Sequence, residues 1–380
     1  MKLTFEETEV RRVVNVRRHA DGWFWDRYSA LPYVGCSSGC AFCYLRSRRY
    51  LRGRSPGEFA TVIRVKINAA ERLRRELGRL EPDVILCGDW QQPAENRYRL
   101  SREMLKGVLD AGFPLLVVER SPLLVRDRDL LLEIHHRAHV TVLFSLSSLD
   151  PKVKRVFEPR SPGVRQRLQA MRTLAESGIQ IGLALMPIFP HISTETSLRQ
   201  VITAARDHGA SCVVAGVLTM EDIQAEWTLH ALEGGWPELV PMWQRLYGLG
   251  RTGEATGQAH RNSAQLRAFS IQVARTVREI CQQVGLPDRL PRPVWQKERA
   301  TNRRLAEYFH NRAYTLELEQ ASRYRIWAYR KAAWSVDECR EDLGRLVREG
   351  GETALRVLPA LGPSLAREAI GWLREAGELA

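Results

Sequence analysis

Between residues 59 and 220 the chain alternates short apolar runs rich in β-branched residues with longer amphipathic segments. Runs of the first kind predict strands, and segments with apolar residues three and four positions apart predict helices. The predicted strands are 60–65, 83–87, 115–119, 140–145, 179–186 and 212–217. The predicted helices are 68–79, 101–111, 129–137, 162–177 and 195–208. Because parallel neighbours need a long connection, this order predicts a parallel sheet with crossover helices, and about six units favour a full or partial barrel.

Beyond residue 220 the strand pattern gives way to helical periodicity. Residues 221–248 and 262–285 are predicted helical, joined by a glycine-rich loop at 248–257. Three prolines within 286–293 predict a linker, and the pattern is helical again from residue 296. The chain is therefore predicted to hold three regions: a barrel at 1–220 with a long loop at 31–54, a helical extension with its linker at 221–293, and a helical module at 294–380.

Composition places the chain among ordinary globular proteins, with 44% apolar and 27% charged residues. No apolar run approaches the roughly 18–20 residues that span a bilayer, and the first residues lack a secretion signal, so we expect a cytoplasmic protein without a membrane. Lys and Arg number 57 against 44 Asp and Glu, a net charge of +13. The excess is +7 in 1–130, +5 in 131–300 and +1 in 301–380. This surplus predicts an anionic partner, most commonly nucleic acid.

Seven cysteines, an odd number, argue against a disulfide framework in a chain without an export signal. Three of them, Cys36, Cys40 and Cys43, have the spacing CxxxCxxC, and Gly35 and Gly39 permit tight turns around them. Thiolates this close on one loop can converge on one metal centre. A structural zinc site takes four ligands, and the sequence has no second CxxC pair. The spacing favours a 4Fe–4S cluster with one open iron; the alternative is a set of small buried hydrophobic residues.

This spacing, with the aromatic Phe42 before the last cysteine and a strand–helix repeat after it, resembles the signature of radical S-adenosylmethionine (SAM) enzymes. The resemblance implies that Cys36, Cys40 and Cys43 hold the cluster and that the open iron binds SAM. It also implies that one-electron reduction of SAM gives a 5′-deoxyadenosyl radical that abstracts hydrogen. A reductant such as flavodoxin or ferredoxin would then be a partner.

Further motifs resemble the spore photoproduct lyase branch of that superfamily. They are Leu31-Pro-Tyr-Val-Gly-Cys36, Cys43-Tyr44, Val65-Lys-Ile-Asn68, Phe144-Ser-Leu-Ser147, Phe157-Glu-Pro159 and Met186-Pro-Ile-Phe-Pro190. The similarity covers residues 25–220 and, loosely, 221–290. Lyases of this branch reverse a thymine crosslink in DNA. The resemblance implies an enzyme that repairs or modifies DNA; the alternatives are a radical SAM enzyme that modifies RNA and a non-catalytic DNA-binding iron–sulfur sensor.

The same resemblance assigns catalytic roles to Cys87 and Tyr44. The lyase carries a cysteine on the strand after the cluster loop, shortly before an aspartate, as its hydrogen-atom donor. Cys87-Gly-Asp89 ends a predicted strand at a similar place. The family spacing is one residue longer, and residues 91–95 look inserted. The alternative for Cys87 is an ordinary buried strand cysteine.

Six residues are candidates for binding SAM by this resemblance: Phe42, Lys66, Asp89, Arg120, Ser145 and Ser147. Ser145 and Ser147 lie at the end of the predicted strand 140–145, where barrel enzymes carry functional groups, although they could equally be turn residues. Arg120 stands where relatives have a lysine, and it would offer a carboxylate a two-pronged fork instead of a point charge. The alternative is a surface arginine.

A basic run without acidic residues follows the cysteines directly: Arg46, Arg48, Arg49, Arg52 and Arg54, with Tyr50 interleaved. Five cations in nine residues predict contacts with a phosphate backbone at the mouth of the site. The alternative is an ordinary solvated face.

Residues 302–380 resemble the small helical domain at the N-terminus of family X DNA polymerases, through 309–314, 324–333 and 355–366. The resemblance implies a helix-hairpin-helix that offers backbone N–H groups to a DNA phosphate. The candidate DNA contacts are Arg325, Arg330, Lys331 and Gly362. Ala360 replaces the usual first glycine of the hairpin and Pro363 removes an N–H donor, so a helical packing domain without a phosphate grip is the alternative.

These patterns together predict an α/β fold, a partial (β/α)6 TIM-like radical SAM barrel followed by an all-α helix-hairpin-helix domain. The substrate base or lesion and the oligomeric state stay open at this level.

Overall fold

The computed structural model describes residues 3–51, 53–88, 90–249 and 264–379. The chain divides into two compact units. Unit 1 consists of Met1–Asn15 with Tyr28–Leu290, and unit 2 consists of Val16–Arg27 with Pro291–Ala380. The division differs from the predicted regions in two ways. The helical extension belongs to the barrel unit, and a short N-terminal segment belongs with the C-terminal helices.

Two sheets contain the strands of the described residues. These are β1 (Thr4–Thr8), β2 (Val14–Val16), β3 (Tyr28–Ala30), β4 (Tyr33–Val34), β5 (Val62–Lys66), β6 (Ile85–Gly88), β7 (Leu115–Glu119), β8 (Val140–Ser145), β9 (Gln180–Ile188) and β10 (Ala210–Val217). The larger sheet has the order β10-β9-β8-β7-β6-β3-β2, and neighbours from β3 to β10 are parallel. Because β10 and β2 are its edges, the sheet is open. The predicted partial (β/α)6 barrel is confirmed, with β3 and β6 to β10 as its parallel strands.

The strand predicted at 60–65 exists as β5 but lies in the smaller sheet, between β1 and β4. It pairs parallel to β1 and antiparallel to β4. The parallel sheet instead takes β3 as its first strand, which the sequence pattern missed. A strand of three residues is too short to show a period of two, so its role depends on pairing with β6.

The helices of unit 1 lie between and after these strands. They are α1 (Arg48–Leu51), α2 (Ala69–Leu77), α3 (Glu95–Tyr98), α4 (Leu100–Ala111), α5 (Arg128–Arg137), α6 (Pro151–Phe157), α7 (Val164–Glu176), α8 (Glu195–Asp207), α9 (Asp222–Gly235), α10 (Val240–Tyr247) and α11 (Ala264–Val284). Local signals set several of their starts. The Asp150 carboxylate accepts the Lys152 N–H at 2.7 Å, and Pro151 occupies the first turn of α6.

The parallel strands carry two layers of side chains on opposite faces. Val117 and Val142, which are opposite each other in register, belong to one buried cluster with Leu73 of α2 and Met104 of α4. This is the helix-facing layer. Gly182 belongs to the other face, where a Cβ would come within 2.6 Å of both the Leu143 side chain and the Cys212 sulfur. We call this second face the inner layer of the barrel.

The helical extension packs its aromatic residues onto the barrel unit. Trp243 and Tyr247 of α10 are fully buried in a cluster that also holds Phe157 and Phe189. Trp243 Nε1 donates to the Pro190 carbonyl oxygen at 3.0 Å, so the indole has both its apolar and its polar contacts satisfied. The extension is therefore part of the core of unit 1.

Unit 2 is built from helices α12 (Ala300–Leu318), α13 (Arg323–Glu338), α14 (Leu343–Arg356) and α15 (Pro363–Glu375). Its N-terminal segment contributes Trp25, which is 1% exposed and meets His310 edge-to-face at 4.9 Å. Arg292 and Asp337 form a buried ion pair at 2.9 Å. Ala360, between α14 and α15, has φ of 63°, the left-handed conformation that glycine normally supplies. In the described residues of both units, we find no helix long and apolar enough to cross a membrane.

Candidate functional site

The cysteine loop, residues 35–43, follows β4 and depends on two glycines. Gly35 has φ of 97°, and a Cβ there would lie 2.9 Å from the Val62 carbonyl oxygen. Gly39 has φ of 58°, and its Cβ would lie 2.9 Å from the Ala60 Cβ. A side chain at either position would meet backbone strain and a close contact together. The two predicted turns are therefore present, and both require glycine.

Helix α9 and the end of α6 hold the loop by its backbone. Ala41 N donates to the Phe157 carbonyl oxygen at 2.8 Å, and Thr228 Oγ1 donates to the Ala41 carbonyl oxygen at 3.3 Å. Gln224 Nε2 donates to the Phe42 carbonyl oxygen at 2.8 Å. Gln224 and Thr228 were not predicted as site residues, because a hydrogen bond across more than 180 residues leaves no local pattern.

The entry to the loop has its own supports. Gln92 donates from Nε2 to the Gly35 carbonyl oxygen at 3.3 Å, and its Oε1 accepts the Ser37 N–H at 3.4 Å. Lys66, predicted to bind SAM, donates from Nζ to the Leu31 carbonyl oxygen at 2.6 Å. The structure thus gives Lys66 a part in fixing the backbone that leads into the loop.

Arg46 is buried, with 3% of its surface exposed, which corrects its prediction as a nucleic-acid contact. Its Nε donates to the Cys40 carbonyl oxygen at 2.8 Å and its Nη2 to the Gly39 carbonyl oxygen at 2.9 Å. The guanidinium lies 4.6 Å from the Phe59 ring centroid and 4.3 Å from that of Trp227. Burial lowers the pKa of Arg46, and the nearby Cys43 and Cys40 thiols oppose that shift. The basic run therefore turns its first member inward.

The three cysteines of the loop are the candidate ligands of the predicted 4Fe–4S cluster. Cys36 and Cys40 are buried and Cys43 is half-buried. Among the described residues, no three His, Cys, Asp or Glu side chains lie close enough together to share one metal ion. A 4Fe–4S cluster asks for a wider arrangement, since each cysteine binds a different iron. The Arg120 guanidinium lies 2.9 Å from the Cys40 sulfur, and Arg46 binds the Cys40 carbonyl oxygen at 2.8 Å, so two cations lie beside these cysteines.

Arg120 joins the cysteine loop to the carboxyl ends of two strands. It follows β7, and its Nη1 donates to the Cys40 sulfur at 2.9 Å and to Glu158 Oε2 at 3.0 Å. Its Nη2 donates to Ser145 Oγ, at the end of β8, at 3.4 Å. Only 17% of its side chain is exposed, so the alternative of a surface arginine is wrong. Three predicted residues, Cys40, Arg120 and Ser145, are thus brought together.

Glu158 completes this group and was not singled out as a site residue. Its carboxylate also receives the Arg167 guanidinium at 2.8 and 3.3 Å and the Ser161 hydroxyl at 3.0 Å. Burial raises the pKa of Glu158, but Arg120 and Arg167 outweigh it and hold the pKa below its ordinary value. The only signal in the sequence was the motif Phe157-Glu-Pro159, which points to the position without its partners.

Ser145 and Ser147 both donate to the Met186 carbonyl oxygen, at 3.3 and 3.0 Å. Ser147 therefore ties the end of β8 to β9. Phe42 is buried against Phe189, with ring centroids 5.5 Å apart, and the Arg120 guanidinium lies 5.8 Å from its ring centroid. Of these candidates for SAM binding, Phe42 and Ser145 contact Arg120 at the carboxyl ends of the parallel strands.

Cys87 lies apart from this group, on the helix-facing layer of β6. It is opposite Val117 in register, is 1% exposed, and shares the buried cluster of Met104. Burial raises the pKa of its thiol well above the ordinary value. Strand neighbours alternate between faces, so Gly88, and not Cys87, faces the inner layer. The structure therefore favours the buried strand cysteine over the predicted hydrogen donor.

Two predicted residues, Asp89 and Arg52, lie outside the described residues. The chain after Asp89 is held by the buried Glu119, whose carboxylate accepts the Gln91 N–H at 3.1 Å and the Arg120 N–H at 2.8 Å. Glu119 was not predicted, and it fixes the backbone that carries Arg120.

The exposed part of the basic run follows Cys43 directly. Tyr44 is 56% exposed and meets Tyr50 edge-to-face at 5.3 Å. Arg48 and Arg49 are exposed, whereas Arg54 is half-buried and donates to the Leu51 carbonyl oxygen. The run is thus divided between an outward part and a part that supports the chain.

In unit 2 the predicted contacts also differ in availability. Arg330 forms an ion pair with Glu317 at 2.8 Å, which offsets its charge within the module. Arg325, Lys331 and Gly362 are exposed, and Gly362 is the residue before the first turn of α15.

Comparison with protein families matches residues 31–199 to the Radical SAM superfamily. The chain carries a radical SAM domain. This domain runs from the cysteine loop to α8 and contains Arg120, Ser145 and Glu158. Radical SAM enzymes use a 4Fe–4S cluster and SAM, in agreement with the cluster predicted from the cysteine spacing and with the SAM that the resemblance implied.

Relatives of this chain include a named enzyme and an uncharacterised protein. A protein of Mycobacterium tuberculosis is 29% identical over 252 residues, 64% of this chain and 74% of the relative, and is described as uncharacterised. The spore photoproduct lyase of Clostridium acetobutylicum is 24% identical over 212 residues, 54% of this chain and 60% of that enzyme. A solved structure of a spore photoproduct lyase variant aligns with a TM-score of 0.51 at 17% identity, over 75% of this chain and 81% of that one. This chain therefore shares its fold with spore photoproduct lyase.

Proposed function

We propose that this chain is a radical SAM enzyme that repairs or modifies DNA, of the spore photoproduct lyase type. In this proposal Cys36, Cys40 and Cys43 hold the 4Fe–4S cluster. When bound, the cluster and SAM supply the one-electron chemistry that yields a 5′-deoxyadenosyl radical for hydrogen abstraction. The observation that carries the proposal is the place of Arg120, between the Cys40 sulfur at 2.9 Å and Ser145 Oγ at 3.4 Å.

Arg120 and its neighbours suit the binding of an amino-acid carboxylate beside the cysteine loop. A guanidinium offers a planar pair of donors that match a carboxylate. Glu158 binds this guanidinium at 3.0 Å and is itself fixed by Arg167 at 2.8 Å, so the orientation of Arg120 is set before a ligand arrives. Ser145, at the end of β8, adds a hydroxyl on the same side of the site.

Three observations support DNA as the substrate. The net charge is +13, with its surplus before residue 301. Exposed Tyr44, Arg48 and Arg49 follow the last cysteine, where they offer phosphate and stacking contacts near the site. The relative from Clostridium acetobutylicum is a spore photoproduct lyase. In this proposal Arg325, Lys331 and Gly362 of unit 2 add sequence-independent contacts to the backbone.

The radical half is tested on the full chain after anaerobic reconstitution with iron and sulfide and reduction by dithionite. We expect 5′-deoxyadenosine to form, and Arg120→Gln to weaken SAM binding by tenfold or more. Arg155→Gln, on the exposed side of α6, is the matched control for the loss of one charge. An intact cluster with no cleavage of SAM would show that the enzyme class is wrong. We also expect 5′-deoxyadenosine to form when reduced flavodoxin or ferredoxin is supplied in place of dithionite.

The DNA half is tested by incubating the reduced enzyme with ultraviolet-irradiated DNA, undamaged DNA and structured RNA. Mass spectrometry of the nucleosides follows lesion loss and new modifications. We expect turnover on DNA, with lesion loss as the outcome of a repair enzyme. Turnover on RNA alone would overturn the DNA proposal and leave the radical half standing.

A further inference from the structure

We infer that Arg46 is a positioning residue for the cluster: it locks the cysteine loop in shape and places a buried positive charge beside the thiolates. The inference rests on the proposed function only in taking Cys36, Cys40 and Cys43 as the cluster ligands. It assigns Arg46 a role that is neither contact with nucleic acid nor contact with SAM.

The first support is the pair of carbonyl oxygens that Arg46 binds. They belong to Gly39 and Cys40, and the donor–acceptor distances are 2.9 and 2.8 Å. These residues lie between the first cysteine and the third, at the turn that Gly39 makes possible. One planar guanidinium reaches both oxygens, which a single ammonium group could do only with poorer geometry. Arg46 therefore fixes the backbone on which the ligands stand.

The second support is the charge of Arg46. Among the described residues, no Asp or Glu side chain forms an ion pair with this guanidinium, although only 3% of the residue is exposed. A buried cation without an acidic partner is strongly unfavourable. The charged groups that act on it are Cys43, Cys40 and Cys36, which are anionic as thiolates, and the opposing cation of Arg160. Three thiolates and the cluster that they hold would supply the missing negative charge.

The third support is the aromatic cage around Arg46. The Arg46 guanidinium carbon lies 4.6 Å from the centroid of the Phe59 ring and 4.3 Å from the centroid of the Trp227 ring. Trp227 belongs to α9, which follows the matched radical SAM region 31–199. Helix α9 also binds the loop through Gln224 and Thr228. The helical extension therefore takes part in holding the cluster loop, beyond the matched domain.

The experiment compares Arg46→Gln and Arg46→Lys with wild type and with Arg49→Gln in the reconstituted full chain. Arg49 is exposed on the same segment, so its variant removes an equal charge without loss of the two carbonyl contacts. The measurements are iron and sulfide per chain, the rate at which an iron chelator removes the cluster, and its midpoint potential by electron paramagnetic resonance. Hydrogen exchange of residues 36–43 in the metal-free chain reports the loop alone.

We expect Arg46→Gln to lose its cluster to the chelator about tenfold faster than wild type. Removing a residue that supports metal ligands commonly weakens metal binding by about this factor or more. Its midpoint potential should become more negative, because the anionic cluster accepts an electron less readily without the nearby cation. Arg46→Lys should keep a midpoint potential near that of wild type and still lose the cluster faster. In both variants the loop amides of the metal-free chain should exchange faster.

Chelation rates and potentials equal to those of wild type in both variants would overturn the inference while the wild-type cluster upholds the proposed function. If Arg46→Gln does not fold, Arg46→Lys decides, since it keeps the charge and most of the volume. Faster cluster loss in that variant at an unchanged potential supports the inference, and unchanged loss overturns it. A wild-type chain that holds no cluster would instead refute the proposed function.

Discussion

Replacing Glu158 with glutamine removes one negative charge from the centre of the site while the side chain keeps its size. In the folded chain this carboxylate receives Arg120 at 3.0 Å, Arg167 at 2.8 Å and Ser161 at 3.0 Å. The side chains of Glu158 and Arg167 are 3% and 1% exposed, so water has little access to replace the lost charge. The substitution therefore leaves a buried guanidinium without its counter-ion.

Removing one partner of a buried ion pair destabilises a protein by about 3–5 kcal/mol. The introduced glutamine would still present an amide oxygen as an acceptor, so for Glu158→Gln we expect the lower end, about 3 kcal/mol for unit 1 at pH 7. The matched control is Glu71→Gln, which breaks an exposed pair with Arg75 on α2. Exposed pairs contribute less than about 1 kcal/mol, so the control should change stability little.

The assay is urea denaturation of the metal-free full chain, followed by hydrogen exchange of peptides from β8 and α7. Local peptides are needed because the chain has two units, and a global signal would mix their transitions. If Glu158→Gln lowers the free energy of unfolding no more than Glu71→Gln does, the reasoning is refuted. That result would mean that the buried Arg167 does not need the Glu158 carboxylate as its counter-ion.

The same pair fixes the pH dependence. Burial raises the pKa of Glu158, yet Arg120 and Arg167 hold it below the ordinary value of 4.5. A depressed pKa stabilises the fold above pH 4.5, and this stabilisation is lost as pH falls through the lower pKa of the folded state. The difference in stability between wild type and Glu158→Gln should therefore shrink below pH 4.5. A constant difference down to about pH 3 would contradict this assignment.

Three further substitutions test other parts of the structure. Gly39→Ala should prevent cluster loading, because its Cβ would lie 2.9 Å from that of Ala60, whereas Gly53→Ala has open space and should load normally; equal iron content in the two would contradict the steric argument. Cys87→Ser should lower the free energy of unfolding by about 1–3 kcal/mol, since a hydroxyl would be buried without a partner; adducts in the product of Cys87→Ala would instead support the hydrogen-donor role. Ala360→Gly should raise stability by about 0.5–1 kcal/mol in thermal unfolding, because it relieves a left-handed alanine; no gain would mean that the turn between α14 and α15 is not strained.

The sequence pattern predicted the long elements of the barrel well, because each has several turns or pleats to show its period. The strands at 115–119 and 140–145 agree with β7 and β8 at both ends. The short strands were not predicted. Strand β3 has only three residues, and its place in the sheet is set by pairing with β6 rather than by its own composition. Likewise, residues 16–27 join unit 2 through long-range packing that no local signal announces.

The candidate site was predictable where chemistry is concentrated in a motif and not where it depends on contacts across the chain. Arg120 and Ser145 were found through the ends of predicted strands, and the structure brings them to Cys40. Glu158 and Arg167 are nine residues apart in the sequence, so no local pattern indicates that they pair. The strength of the pair comes from its burial, which only the fold determines. For Cys87 the strand was predicted correctly, but the face was not. A shift of one residue along a strand moves a side chain to the other face, and the register with Val117 puts Cys87 on the helix-facing layer.

The arginines of this chain show why the net charge of a sequence overstates the positive charge available on the surface for a nucleic acid. Arg167 and Arg292 are buried and neutralised by Glu158 and Asp337, respectively. Arg46 is buried as well, has no acidic partner among the described residues, and donates to two carbonyl oxygens of the cysteine loop. A basic run in the sequence can therefore serve two ends at once. Its first residue acts inside the site, and its exposed neighbours are those that remain for contact with phosphate.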